Sequence, residues 1–184
     1  MNISVISQPY NWDYHPTNGR AIKVIFFGSD FKNLSKSNIG ELIRLTNGCL
    51  EYIRRNCHGL KLYYKFHPGE TDESKLLNLE GFELVRDNNN AEMFLYKNRE
   101  EIKYAFSQNS TASSVAFSFG INSYVFLEPF QPVVGKVATN YWRETLFAEM
   151  PDNFFIKNFN HPLISNARSI ISQDMPKSLV EIVQ

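Results

Sequence analysis

Leu60-Lys61-Leu62-Tyr63-Tyr64-Lys65-Phe66-His67-Pro68-Gly69 is the stretch on which the reading of the fold turns. Its first part, residues 60–66, is an apolar and aromatic run interrupted by Lys61 and Lys65. Short runs of this kind, bounded by Gly and Pro, read as β-strands. The run stops abruptly at His67-Pro68-Gly69. Proline has no N–H and bars the residue before it from the helical region. His67 is therefore held at a sharp strand end.

Helix and strand patterns alternate on both sides of this strand. Upstream, Leu42, Ile43, Leu45, Cys49, Leu50 and Ile53 recur at helical spacing, which predicts a helix from Ile39 to about Cys57, stopped by Gly59. Downstream, Phe82-Glu83-Leu84-Val85 reads as a strand, residues 91–97 as a short helix and residues 104–107 as a strand. Asn109-Ser110-Thr111 caps a further helix over residues 112–119, closed by Gly120. Residues 123–127 read as the next strand, ended by Glu128-Pro129. Ile3-Ser4-Val5-Ile6 reads as a first strand, and residues 11–20 as a loop. Residues 21–27 are either a second strand or the apolar start of a longer loop. Beyond residue 129 periodicity weakens, with short helices expected over 164–171 and 177–183. Strands alternating with helices imply βα units. The expected fold is α/β: one Rossmann-like, doubly wound parallel sheet flanked by helices, as a single domain over residues 1–184.

Composition narrows the function. Nineteen Lys and Arg balance nineteen Asp and Glu, so no bulk field draws in nucleic acid or an anionic membrane. Any anion site must be local. Fifteen Phe and nine Tyr point to an aromatic core. Cys49 and Cys57 lie on one predicted helix, about 12 Å apart along its axis, which is beyond disulfide reach. Two reduced thiols fit a cytoplasmic protein. The first ten residues lack the features of a signal peptide, and no apolar run reaches the length of a transmembrane segment. A cytoplasmic chain, at most peripheral at the inner membrane, is expected.

Parallel sheets bind ligands outside the carboxyl ends of their strands. Three expected strand ends carry suitable residues: Ser7-Gln8-Pro9, Lys65-Phe66-His67-Pro68 and Ser107-Gln108-Asn109-Ser110-Thr111. At the last of these, the free N–H groups of a helix start, with two hydroxyls, suit a phosphate. The plainer alternative is an ordinary N-cap. At the second, a histidine at a strand mouth can donate a hydrogen bond or a proton to a departing phosphate near neutral pH. Lys65 shares its face of the strand. The plainer alternative is a turn histidine beside a surface lysine. His15-Pro16 and His161-Pro162 lack a leading strand and read as loop and turn.

Taken together, Lys65-Phe66-His67-Pro68-Gly69-Glu70 followed by Phe106-Ser107-Gln108-Asn109-Ser110-Thr111-Ala112 resembles the donor-binding half of bacterial CMP-sugar-dependent glycosyltransferases. These are the sialyltransferases and polysialyltransferases of lipooligosaccharide and capsule synthesis, with two Rossmann-like domains in a GT-B fold. The resemblance covers roughly residues 60–129. It implies that His67, within the His-Pro motif, contacts the donor phosphate and is the candidate general acid toward CMP. It implies that Ser110 and Thr111 hold the same phosphate, and that Lys65 and Pro68 line the nucleotide. A ribose-binding carboxylate falls on Asp87 or Glu92. The implied donor is a CMP-sugar used without a metal or other cofactor, and the implied acceptor is a surface glycan. A similar layout occurs in the CDP-glycerol phosphotransferases of teichoic acid synthesis, so a CDP-alcohol donor stays open.

The departures matter as much. No acidic motif of the family's kind precedes the His-Pro turn, so the base for the acceptor hydroxyl is expected from an N-terminal domain, either in a longer chain of which this is a fragment or in a second chain. Otherwise the domain stands alone, as a cytidine-nucleotide or partner-binding module, or the His-Pro turn is coincidental. Trp12, Tyr14, Phe26 and Phe27 read as core or loop aromatics, and Arg143 as a surface residue. No Cys/His cluster has metal-ligand spacing, and neither a dinucleotide fingerprint nor a P-loop is present.

Overall fold

Val24 and Phe26 point to one side of a short strand and Ile25 and Phe27 to the other, and all four are buried. A strand apolar on both faces belongs inside a covered parallel sheet. This is β1 (Lys23–Phe27), and among the described residues it is the middle strand of five. The computed structural model describes residues 21–31, 38–70, 75–87 and 89–166. β2 (Lys61–Lys65), β3 (Phe82–Val85), β4 (Ile102–Ser107) and β5 (Asn122–Val125) complete one sheet in the order β3-β2-β1-β4-β5. Every pairing is parallel. This is the α/β, Rossmann-like architecture that the alternating patterns predict. Residues 21–27, left open between strand and loop, contain the central strand.

Among the described residues, five helices flank the sheet. On one face lies α1 (Ile39–Asn56), whose Leu42, Leu45, Cys49, Leu50 and Ile53 pack over Val24, Phe26, Tyr64 and Phe106. On the other lie α2 (Ala91–Asn98) and α3 (Thr111–Ser118). Small side chains, Ala112 and Ala116, let α3 close on Ala105. Aromatic rings run across the α1 side at one register level. Tyr64, Phe26, Phe106 and Tyr124 are successive partners on four strands. Phe26 stacks on Tyr64 at 5.6 Å and Phe106 on Tyr124 at 5.1 Å. The abundance of Phe and Tyr is thus a core feature, and Cys49 and Cys57 are buried free thiols within it.

The chain departs from expectation after β5. The strand ends at Val125, and Leu127, Glu128 and Pro129 open α4 (Leu127–Val134) instead of ending a strand. A proline in a first helical turn withholds an N–H that has no helical partner anyway. Gly135, at φ 90°, separates α4 from α5 (Lys136–Thr145). Arg143 of α5 donates to Glu128 at 2.7 Å and Asp152 at 2.9 Å and stacks over Phe155, so it clamps this region together. The helix expected over 164–171 does not begin at Ile164. Asn166 is buried there and brackets the edge strand, accepting from the Ser123 N–H at 2.9 Å and donating to the Ser123 carbonyl at 2.6 Å. The strand at 3–6, the loop at 11–20 with Trp12, Tyr14 and His15, and the helix at 177–183 lie outside the described residues. No helix among the described residues is long and apolar enough to cross a membrane.

Candidate functional site

The five strands end level. Val85, Lys65, Phe27, Ser107 and Val125 are register partners in one row across the sheet. The turns that follow them therefore rise from a single edge. The chain steps from β1 outward to β2 and β3, then returns across the sheet to β4. The β1/β4 boundary is the topological switch point, where open α/β sheets form a ligand crevice.

The His-Pro turn follows β2. His67 is exposed, and its Nδ1 accepts the Gly69 N–H at 3.0 Å. An imidazole nitrogen that accepts is unprotonated, so in the neutral ring the proton sits on Nε2. Glu70 closes the turn twice. Its N–H donates to the His67 carbonyl at 2.9 Å, and its Oε2 accepts the His67 N–H at 2.8 Å. Its other oxygen accepts the Tyr64 hydroxyl at 2.5 Å. Burial pushes the Glu70 carboxyl above the usual carboxylate range, and nearby Asp30 adds to the rise. The bonds from Tyr64 and His67 and the charge of Arg86 oppose it.

Lys65 behaves differently from a free anion-binding lysine. It is 5% exposed, its ammonium is paired with Asp87, and it lies 5.4 Å from the Phe94 ring centre. Desolvation raises the Asp87 carboxyl, but hydrogen bonds from Asn89 and Lys65 outweigh it and hold the group below its ordinary range. Lys65, Phe66, His67, Pro68, Glu70, Arg86 and Asp87 line one cleft of about 480 Å³ at the edge between β2 and β3. Arg86 sits over Phe66, its guanidinium carbon 3.6 Å from the ring centre.

The turn after β4 is built from serines. Ser107 Oγ accepts the Ser110 N–H at 3.1 Å and shares a 2.7 Å hydrogen bond with Ser113 Oγ. Ser110 caps α3 by accepting the Ala112 N–H at 3.2 Å. The N-cap reading is therefore correct for the Ser110 hydroxyl. Thr111, the first helical residue, is exposed at the same edge. β2 and β4 both flank β1, so this turn stands two strand spacings, about 10 Å, from the His-Pro turn.

The structure thus brings Lys65, His67, Pro68 and Asp87 into one cleft, with Ser110 and Thr111 across β1. Glu92 is set apart. It lies in the first turn of α2 and lines a separate groove with Met93, Tyr96, Val115 and Phe119. His161 sits in a plain turn, its N–H bonded to the Asn158 carbonyl at 3.0 Å.

Three contributors carry no role in the sequence reading: Gly28, Asp30 and Glu70. Gly28 and Asp30 follow the central strand at the switch point. A Cβ on Gly28 would lie 2.3 Å from Glu70 Oε2, and one on Gly69 would lie 2.6 Å from Asp30 Oδ2. The two turns are therefore in direct contact, and a side chain at either glycine would displace the facing carboxylate. The available signal was Gly-Ser-Asp directly after an apolar run, legible once residues 23–27 are assigned as a strand. Among the described residues, no group of three or more His, Cys, Asp or Glu side chains is placed to hold a metal ion. No protein-family model matches this chain, and no curated protein matches it in sequence.

Proposed function

We propose that the carboxyl edge of this sheet binds the phosphate of a CMP-activated acidic sugar, and that the domain is the donor-binding half of a sialyltransferase-like glycosyltransferase. The observation that carries the reading is the fixed tautomer of His67. With Nδ1 occupied by the Gly69 N–H, the neutral ring offers its Nε2 proton outward from a strand mouth. The start of α3 at the same edge adds backbone N–H groups and the Thr111 hydroxyl for the same anion. Asp87, steadied by Lys65 and Asn89, is the carboxylate in position for a ribose hydroxyl.

The reaction is a displacement at the anomeric carbon. The acceptor oxygen forms the new bond, the bond to the CMP phosphate breaks, and CMP departs as the phosphate anion, stabilised by a hydrogen bond from His67 Nε2–H. The acceptor's own proton goes to a base supplied by the acceptor domain or partner chain. Calorimetric titration with CMP, with UMP and CDP as controls, tests the reading. CMP binds to the wild-type chain and at least tenfold more weakly to His67→Ala, because a charge-assisted contact to the phosphate is lost. Equal affinity in the two proteins, or no binding of any cytidine nucleotide, refutes it.

A further inference from the structure

Glu70 is half-buried at the place where three strand ends meet. Tyr64 faces it from β2, Gly28 and Asp30 from the segment after β1, and Arg86 from the segment after β3. It bonds His67 through both backbone groups, accepting the N–H at 2.8 Å and donating to the carbonyl at 2.9 Å. That pair of bonds closes the turn. The closed turn aims the Gly69 N–H at His67 Nδ1. The Tyr64 hydroxyl, on a ring locked in the core, fixes where the carboxylate sits. The absence of a side chain at Gly28 leaves room for it there.

We propose that Glu70 is the positioning residue for His67: from within the sheet edge it pins the histidine's backbone and thereby holds the imidazole with its Nε2 proton facing the cleft. The proposal rests on the reading of His67 as the phosphate-binding group, and it adds a residue that acts through the histidine's backbone. A group that bonds the histidine rather than the ligand sets the tautomer and direction of a functional imidazole.

Nitrogen-15 NMR of the full chain tests it without any nucleotide. In the wild type, His67 is a single tautomer with unprotonated Nδ1 at a pH where the ring is neutral, and the Gly69 amide exchanges slowly. In Glu70→Ala, His67 becomes a tautomer mixture and Gly69 loses its protection. Glu70→Gln restores both, because its amide oxygen accepts the His67 N–H while its NH2 donates to the Tyr64 oxygen. Unchanged His67 and Gly69 signals in Glu70→Ala overturn the proposal, as does failure of Glu70→Gln to restore them. Should Glu70→Ala not fold, the wild type still decides. The His67 backbone amide must shift as the Glu70 carboxyl titrates, and a resonance that stays flat overturns the proposal. Where the wild type binds CMP, Glu70→Ala weakens it roughly tenfold, the equivalent of one good hydrogen bond, and Glu70→Gln stays within about threefold. Loss of CMP binding by the wild type itself would strike the nucleotide reading alone, since the NMR signatures stand apart from it.

Discussion

Gly28→Ala is the most informative single substitution in this domain. The added Cβ would sit 2.3 Å from Glu70 Oε2 and 2.7 Å from the Tyr64 hydroxyl. Gly28 does not have a positive φ, so backbone strain does not enter. The Tyr64 ring is fully buried and stacked on Phe26, so it cannot withdraw. Glu70 is only half-buried, and its carboxylate is the group that moves. Swinging it toward solvent breaks the bonds to Tyr64 and to the His67 N–H. Hydrogen bonds to a charged group contribute about 1.5–3 kcal/mol each, and the carboxylate's access to water after moving reduces that to roughly 1–2. Replacing glycine returns about 0.4–1 kcal/mol through the unfolded chain. The net expectation is a destabilisation of about 1–3 kcal/mol. Urea unfolding monitored by circular dichroism measures it as a lower midpoint at unchanged slope. Because the cost passes through Glu70, it shrinks by at least about 1 kcal/mol when Gly28→Ala is made in a Glu70→Ala background. A Gly28→Ala protein as stable as wild type, or equally destabilised in both backgrounds, would refute the reasoning.

Two further predictions concern the other turn and the cleft. Ser107→Ala removes the acceptor of the Ser110 N–H and the partner of Ser113, and should cost about 1–3 kcal/mol by the same unfolding assay while shifting the Ser110 and Thr111 amide resonances. Asp87→Asn tests the pairing with Lys65 through pH. The folded Asp87 carboxyl is held below its unfolded value, so its stabilisation is present above the ordinary aspartate range near 3.9 and is lost as pH falls through the folded value. Wild type should therefore exceed Asp87→Asn in stability at neutral pH and converge with it in acid; a constant gap across that range would contradict the pairing.

Much of the architecture was legible locally. The helix at 39–56 and the strands at 61–65, 82–85 and 102–107 announce themselves by period and by their Gly or Pro stops. α4 and α5 were not legible. Pro129 and Pro132 disguise the apolar spacing of Leu127, Phe130 and Val134, and α5 buries only Thr139, its Val137, Ala138, Tyr141 and Trp142 being half-buried or exposed.

The sequence by itself determined that strands alternate with helices, that His67 stands at a strand mouth and that Ser110 begins a helix. Each follows from the chemistry of neighbouring residues: hydrophobic period, the steric demand of proline, the capping preference of serine. Only the tertiary structure decided which strand ends stand side by side. Parallel pairing joins residues far apart in the chain, and no local pattern encodes it. The pairing set β1 at the centre and brought Gly28 against Glu70. It also satisfied the buried charge of Lys65 with Asp87, twenty-two residues away.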